Sequence, residues 1–235
     1  MADFKLIHIP ETDSTNRYLR ELADEDDVCV WTDYQTAGRG CGTNSWESER
    51  GRNLLFSLRC HPRQVAANRQ FVISMAISVA IARAVGTYGV HPAIKWPNDI
   101  YVGDRKLCGI LIENRLSGST IRESIIGVGL NVNQTRFVSD APNPVSLQQL
   151  TGKSVDREEL LDQILQAFDI SDPSVSARYR QQLYRREGFF TYEDRDGRFE
   201  AQLAGVEDDG MLVLCDREGR TRRYAFKEVK HIIHL

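Results

Sequence analysis

The sequence predicts an α+β fold: a mixed, largely antiparallel sheet with helices packed on it, followed by a small all-β module. Three observations carry this. Strand-like and helical stretches do not alternate in the regular order that a doubly wound parallel sheet needs. Neighbouring strand-like stretches are joined by tight turns such as Gly103-Asp104. After Gly188 the texture changes to short strands alone. Residues 1–187 are therefore expected to form one domain and residues 188–235 a second.

The elements follow in order. Residues 4–9 read as a strand that ends at Pro10. Asp13-Ser14-Thr15-Asn16 is a cluster of natural N-cap residues, with Leu19, Leu22 and Ala23 behind it at helical spacing. Residues 28–34 are β-branched and aromatic, hence strand-like, and a glycine-rich loop over 37–43 separates them from a buried strand at 54–58. Phe71, Val72, Met75, Ala76, Val79, Ala80 and Ala84 recur at steps of three and four, one face of a helix that stops near Gly86 and Gly89. Residues 93–96, 100–102, 106–112 and 124–130 read as short strands. Asp156-Arg157-Glu158-Glu159 resembles a capping box ahead of Leu160, Leu161, Ile164, Leu165 and Phe168. A polar helix is expected over 173–187. Residues 199–206, 211–215 and 221–226 are the strands of the last module, joined at Asp209-Gly210 and Glu218-Gly219.

Composition narrows the function classes. With 41 % hydrophobic and 27 % charged residues the chain is not a long disordered one. Its 30 basic and 33 acidic residues leave a net charge of −3, so no global field draws it to nucleic acid or an anionic membrane. No apolar run is read as reaching the roughly 20 residues that span a bilayer. The polar start Met1-Ala2-Asp3-Phe4-Lys5 does not read as a signal peptide. Cys29, Cys41, Cys60, Cys108 and Cys215 are scattered without a C-x-x-C pair, which fits a reducing, cytoplasmic setting rather than disulfides or structural zinc. His231 and His234 are expected at the surface, not as metal ligands.

Two segments can carry chemistry. Glycines 38, 40 and 42 free the backbone to turn successive N–H groups toward an anion, and Arg39 adds a fixed charge. The spacing matches neither G-x-G-x-x-G nor the Walker pattern, and a plain exposed turn explains it equally well. In Lys95-Trp96-Pro97-Asn98-Asp99 the proline breaks strand pairing, so Asn98 and Asp99 can face a cleft together. Lys106 opens the next strand, and Gly109 interrupts it where a ligand or another backbone can come close. Taken alone, Pro-Asn-Asp is also ordinary turn chemistry.

The combination is more specific. Asp13-Ser14-Thr15-Asn16, Gln35-Thr36-Ala37-Gly38-Arg39-Gly40, Trp46, Lys95 to Asp99, Lys106-Leu107-Cys108-Gly109-Ile110-Leu111 and Gly127-Val128-Gly129-Leu130-Asn131-Val132-Asn133 occur in that order. Together they closely resemble the catalytic domain of biotin–protein ligases, strongly over about residues 4 to 135. The last module resembles that family's small SH3-like domain.

The resemblance implies a class II synthetase-like sheet and a two-step reaction. Biotin and ATP, the latter with Mg²⁺, give biotinyl-5'-AMP; a lysine of a biotin carboxyl carrier protein then displaces AMP. It further implies that Lys106 and Arg39 are catalytic, with Lys106 touching both the biotin carboxyl oxygen and the α-phosphate. Biotin contacts fall to Ser14, Thr15, Asn16, Gln35, Gly38, Arg39, Gly40, Cys41, Lys106, Gly109 and Leu111. ATP contacts fall to Arg39, Trp46, Asn98, Asp99, Lys106 and Asn131, with Asp99 also toward the metal. Where the family's loop usually continues with arginine or a polar equivalent, this chain has Cys41, which implies a looser hold on the adenylate.

A lipoate–protein ligase of related fold is the near alternative, and the Lys95–Asp99 string with Lys-x-x-Gly-Ile-Leu favours biotin. A DNA-binding repressor would need a helix-turn-helix module ahead of a first strand that already begins at Phe4, so no nucleic-acid partner is expected. No membrane partner is expected either. A catalytically dead carrier-binding module would not need the charged set that is present here. A monomer and a homodimer both stay open.

Overall fold

The computed structural model describes residues 4–23, 26–42, 44–139, 141 and 143–233; Thr43 of the glycine-rich loop and His234 lie outside the described residues. Seven strands build the main sheet: β1 (Lys5–Ile9), β2 (Val28–Thr32), β3 (Leu54–Cys60), β4 (Pro92–Lys95), β5 (Asp99–Val102), β6 (Arg105–Ser117) and β7 (Thr120–Leu130). Their spatial order is β1-β2-β3-β7-β6-β5-β4. The β1–β2 pair is parallel and the other pairings are antiparallel, as the sequence predicts.

Period-2 alternation explains why β2 and β3 are buried at every residue. Val28 and Val30 face Leu19 of helix α1 (Thr15–Glu21) and Ile125, whereas Cys29, Trp31, Phe56 and Leu58 face the larger core. That core is filled by α2 (Phe71–Gly86), against which α4 (Arg157–Ala167) and α5 (Val175–Gln181) pack; a short α3 (Leu147–Thr151) precedes them. Both sheet faces are covered, so the strands read as continuous apolar runs.

Three expectations needed correction. Residues 67–86 form a 20-residue helical stretch of mean hydropathy 1.3, long and apolar enough to cross a bilayer by length and composition; it is 67 % buried inside the protein as its core helix. The polar helix expected to run to 187 stops at Gln181. The open edge of β4 needs partners, and the chain beyond α5 supplies them: the Ile94 N–H donates to Gln182 O at 2.7 Å and the Tyr184 N–H to Ile94 O at 2.9 Å. Ser14 occupies the N-cap of α1 without a side-chain capping bond. Asp156 does cap α4, accepting from the N–H groups of Glu158 and Glu159.

The last segment forms a second, five-stranded antiparallel sheet of β8 (Phe190–Asp194), β9 (Gly197–Val206), β10 (Leu212–Asp216), β11 (Thr221–Tyr224) and β12 (Lys230–His231), in the order β11-β10-β9-β8-β12. β8 and β12 were not legible as strands: the first ends in two acids, and the second is two residues long. This sheet leans on the loop after β4. Trp96 Nε1 donates to Gly210 O at 2.9 Å, and Phe71 packs where Gly210, at φ +94°, has no Cβ. From beneath, the Tyr179 hydroxyl donates to Pro97 O at 2.7 Å and Ser74 Oγ to the same oxygen at 3.3 Å.

Tyr179 is fully buried, so its hydroxyl and Pro97 O satisfy each other out of water. Tyr179→Phe should lower stability by about 1–2 kcal/mol. Urea unfolding with an unchanged m-value reads this directly, and a variant as stable as the wild type would sink the anchoring role.

Candidate functional site

One face of β3, β7 and β6 is built to be shallow. Alternation sends Ser57, Gly127, Gly129, Gly109 and Leu111 to the side that carries α1, and register puts Gly109 opposite Gly129 and Ser57 and Leu111 opposite Gly127. Absent side chains at three adjoining positions leave a trench. A Cβ on Gly129 would stand 2.4 Å from the Trp46 ring, one on Gly109 2.8 Å from it, and one on Gly127 2.2 Å from Asn16 Oδ1. Real Cβ contacts do not come so close, so Trp46 and Asn16 occupy space that only glycine provides.

Asn16 is held in one orientation. The Glu113 carboxylate can only accept, so Asn16 Nδ2 donates to it at 2.8 Å, and Arg20 fixes the same carboxylate at 2.8 and 3.0 Å. The amide oxygen then points at Ser57 Oγ, 2.6 Å away, and over Gly127. Gln35 Oε1 accepts from the Thr15 N–H at 2.8 Å and lies 3.2 Å from the Thr15 hydroxyl. The first turn of α1 and the β2 exit are thereby tied together at one end of the trench.

At the other end the charge is one-sided. Lys106 Nζ pairs with Asp99 at 2.8 Å and lies 5.8 Å from the Trp46 ring centroid. Asn98 Nδ2 donates to Ile110 O at 3.1 Å, which pins the loop between β4 and β5 to β6. Around this end stand Arg39, Lys95, Lys106, Lys227 and Lys230 against the carboxylate of Asp99, in a cleft of about 750 Å³. Burial pushes the Lys95 ammonium below its ordinary pKa, with Asp99 opposing and Lys106 and Arg185 adding to the shift. His231, expected at the surface, is partly buried in the same wall; burial, then Lys95 and Arg185, pull it down to about 3, so it is neutral at ordinary pH.

The expected site residues line this cleft, with two exceptions. Gly38 sits behind it, its missing Cβ making room for Trp46 O at 2.7 Å. Asn131 is buried beyond β7, its N–H donating to Leu107 O at 3.0 Å and its C=O accepting from Leu147 at 3.1 Å. Asp99, expected toward the metal, pairs with Lys106 here, and among the described residues no group of three His, Cys, Asp or Glu could hold an ion. Sequence reasoning missed the wall from the second sheet, Phe226, Lys227, Lys230 and His231, and gave no role to Lys95. Nothing in a run of alternating polar and apolar residues announces which distant face it meets.

Comparison with known proteins bears on this cleft directly. The family model described as "Biotin/lipoate A/B protein ligase family" matches residues 7–131, more than half the chain and most of the trench. The chain belongs to that family. Within the family, a biotin--[acetyl-CoA-carboxylase] ligase of Paracoccus denitrificans is 31 % identical over 90 % of this chain and 95 % of its own length. A bifunctional ligase/repressor BirA of Bacillus spizizenii is 29 % identical over 94 % of this chain and 72 % of its own. In fold, the chain matches a biotin protein ligase from Aquifex aeolicus, solved in complex with biotin and ATP. The TM-score is 0.80 at 24 % identity, over 97 % of this chain and 99 % of that one.

The lowered His231 has a pH consequence with a definite sign. Between about 3 and the ordinary 6.5 the unfolded chain binds a proton that the folded one refuses, so stability from this group falls as pH drops through that window. Unfolding midpoints measured from pH 7 to pH 4 should therefore fall less steeply for His231→Gln than for the wild type. Parallel curves would show that His231 titrates normally.

Proposed function

We propose that this chain is an ATP-dependent biotin–protein ligase, which forms biotinyl-5'-AMP and passes biotin to a specific lysine of a biotin carboxyl carrier protein. The observation that carries the reading is the two-ended trench: fixed polar acceptors at Asn16 and Gln35, an apolar-walled glycine floor, and a cluster of cations around Lys106. Biotin has the same sequence of chemistry, a polar ureido head, an apolar body and a terminal carboxylate. A lipoyl head has no N–H to give Asn16 Oδ1, which disfavours the lipoate alternative.

In the first step a biotin carboxylate oxygen attacks the α-phosphorus, the bond to the bridging oxygen breaks, and pyrophosphate leaves with the electron pair. Two anions must approach, so fixed cations do most of the work. In this reading Lys106 touches both the carboxylate and the α-phosphate, and its pairing with Asp99 at 2.8 Å, which keeps the ammonium aimed, supports that role. Arg39 reaches in from the exposed glycine-rich loop. Trp46, lying on Gly109 and Gly129, offers a ring face to the adenine. In the second step the carrier's lysine amine attacks the acyl carbon, AMP departs, and the amine loses its proton. Mg²⁺ belongs in this reading with ATP as substrate, since Mg²⁺ is usually held by one or two carboxylates together with the substrate's phosphates.

Residues 1–187 supply the trench and residues 188–235 a wall of the cleft in this reading. The protein works in the cytoplasm, as a monomer or homodimer, with no nucleic-acid partner.

A carrier domain incubated with biotin, MgATP and the protein should gain one biotinyl mass, and lipoic acid should not replace biotin. Lys106→Ala should slow the gain by on the order of 10²–10³. Mass spectrometry decides both, and a full-rate Lys106→Ala enzyme would remove the mechanism.

A further inference from the structure

The turn between β11 and β12 carries a lysine that the fold itself does not explain. Lys227 has a φ of +73°, in the left-handed region that non-glycine residues seldom occupy. The turn is held by its neighbours: the Ala225 N–H donates to Glu228 Oε2 at 2.7 Å, and the Glu228 N–H to Ala225 O at 3.1 Å. Glycine at 227 would make the same turn without strain. The side chain nevertheless crosses to the main domain, where Nζ stands 3.4 Å from the position a Cβ would take on Gly42.

Its surroundings point to an anionic ligand. Among the described residues Nζ has no ion pair; it faces Gly42 and the ring of Phe226, 5.6 Å from the centroid. That ring packs edge-on against Trp96, with centroids 6.3 Å apart, which ties the turn to the loop after β4. Across the gap, residues 35–46 carry a single charged side chain, Arg39, and Cys41 beside Gly42 is uncharged. Lys227 thus brings a second cation to the lip of the glycine-rich loop from the far wall. Backbone strain retained where the fold has no need of it marks a functional position.

We propose that Lys227 is a ligand for the nucleotide's phosphates, closing the cleft over the glycine-rich loop from the second sheet. This rests on the reading of the cleft as an ATP site. Lysine suits the role, because its flexible stem and compact charge can follow a polyphosphate that changes position as the bond to the leaving group breaks. Lys230, on β12 opposite Glu193, lines the same wall.

The test compares Lys227→Gly, which removes the charge and relieves the positive φ, with Lys227→Arg, which keeps the charge. Calorimetric titration with MgATP, without biotin, should show binding weakened about tenfold in Lys227→Gly and within about threefold of wild type in Lys227→Arg. The glycine variant should unfold at the same midpoint as wild type or higher. A glycine variant that binds MgATP as tightly as wild type would overturn the proposal, as would weak binding that accompanies a lowered midpoint and is not restored by arginine. If the wild type binds MgATP but shows no biotin-dependent pyrophosphate exchange, the ligase reading falls while the Lys227 comparison still stands. A wild type that does not bind MgATP overturns both.

Discussion

The pleat of three neighbouring strands is the constraint on which the rest depends. Every second residue of β3, β7 and β6 must face the same side, so the glycines at 109, 127 and 129 fall together on one face while Phe56, Leu58, Ile110, Ile126 and Val128 fill the other. A one-residue slip in either pairing would send the apolar set into the cleft and the glycines into the core. The buried face therefore fixes the register, and the register fixes the trench. Catalytic geometry here is a by-product of core packing on the opposite side of the same strands.

Electrostatics then divides the trench into ends of different character. At the α1 end, polar groups are paired with one another before any ligand arrives, through Glu113, Asn16, Ser57, Thr15 and Gln35. Such a network leaves few orientations available and selects by matching donors to acceptors. At the Lys106 end, like charges crowd together with one carboxylate among them, and Lys95 shows the consequence in its depressed pKa. Cations held close to each other in a partly dry cleft repel, and a polyanion relieves the repulsion that the fold imposes.

Much of this was legible in the sequence, for identifiable reasons. The buried strands and α2 declare themselves as apolar stretches bounded by turn residues, since β2 and β3 are buried at every position and α2 at most of them. Lys106, Asp99, Asn98 and Gly109 were legible because they sit within about a dozen residues of one another on a single hairpin, and local geometry alone brings them together. Asn131 lies off the cleft lining for a related reason: the strand carrying the trench glycines ends at Leu130, so the next residue has left the alternating face and serves the backbone bonds of α3's approach. The second-sheet wall was not legible, since its position depends on long-range contacts such as Trp96 to Gly210 and Arg180 to Val206. The early end of α5 belongs with it, because helix propensity there yields to the unpaired edge of β4.

The apolar residues of the second sheet are not a core of their own. Tyr192, Val206, Leu212, Leu214 and Val229 belong to the same continuous cluster as Ile77, Ile94 and Trp96. A wall joined in this way cannot swing outward as a hinged door without wetting apolar surface, at about 25 cal/mol for each Å² exposed. The opposite rim is different: the described residues of the glycine-rich loop contribute nothing to that cluster. The molecule is, in mechanical terms, a vice with one fixed jaw.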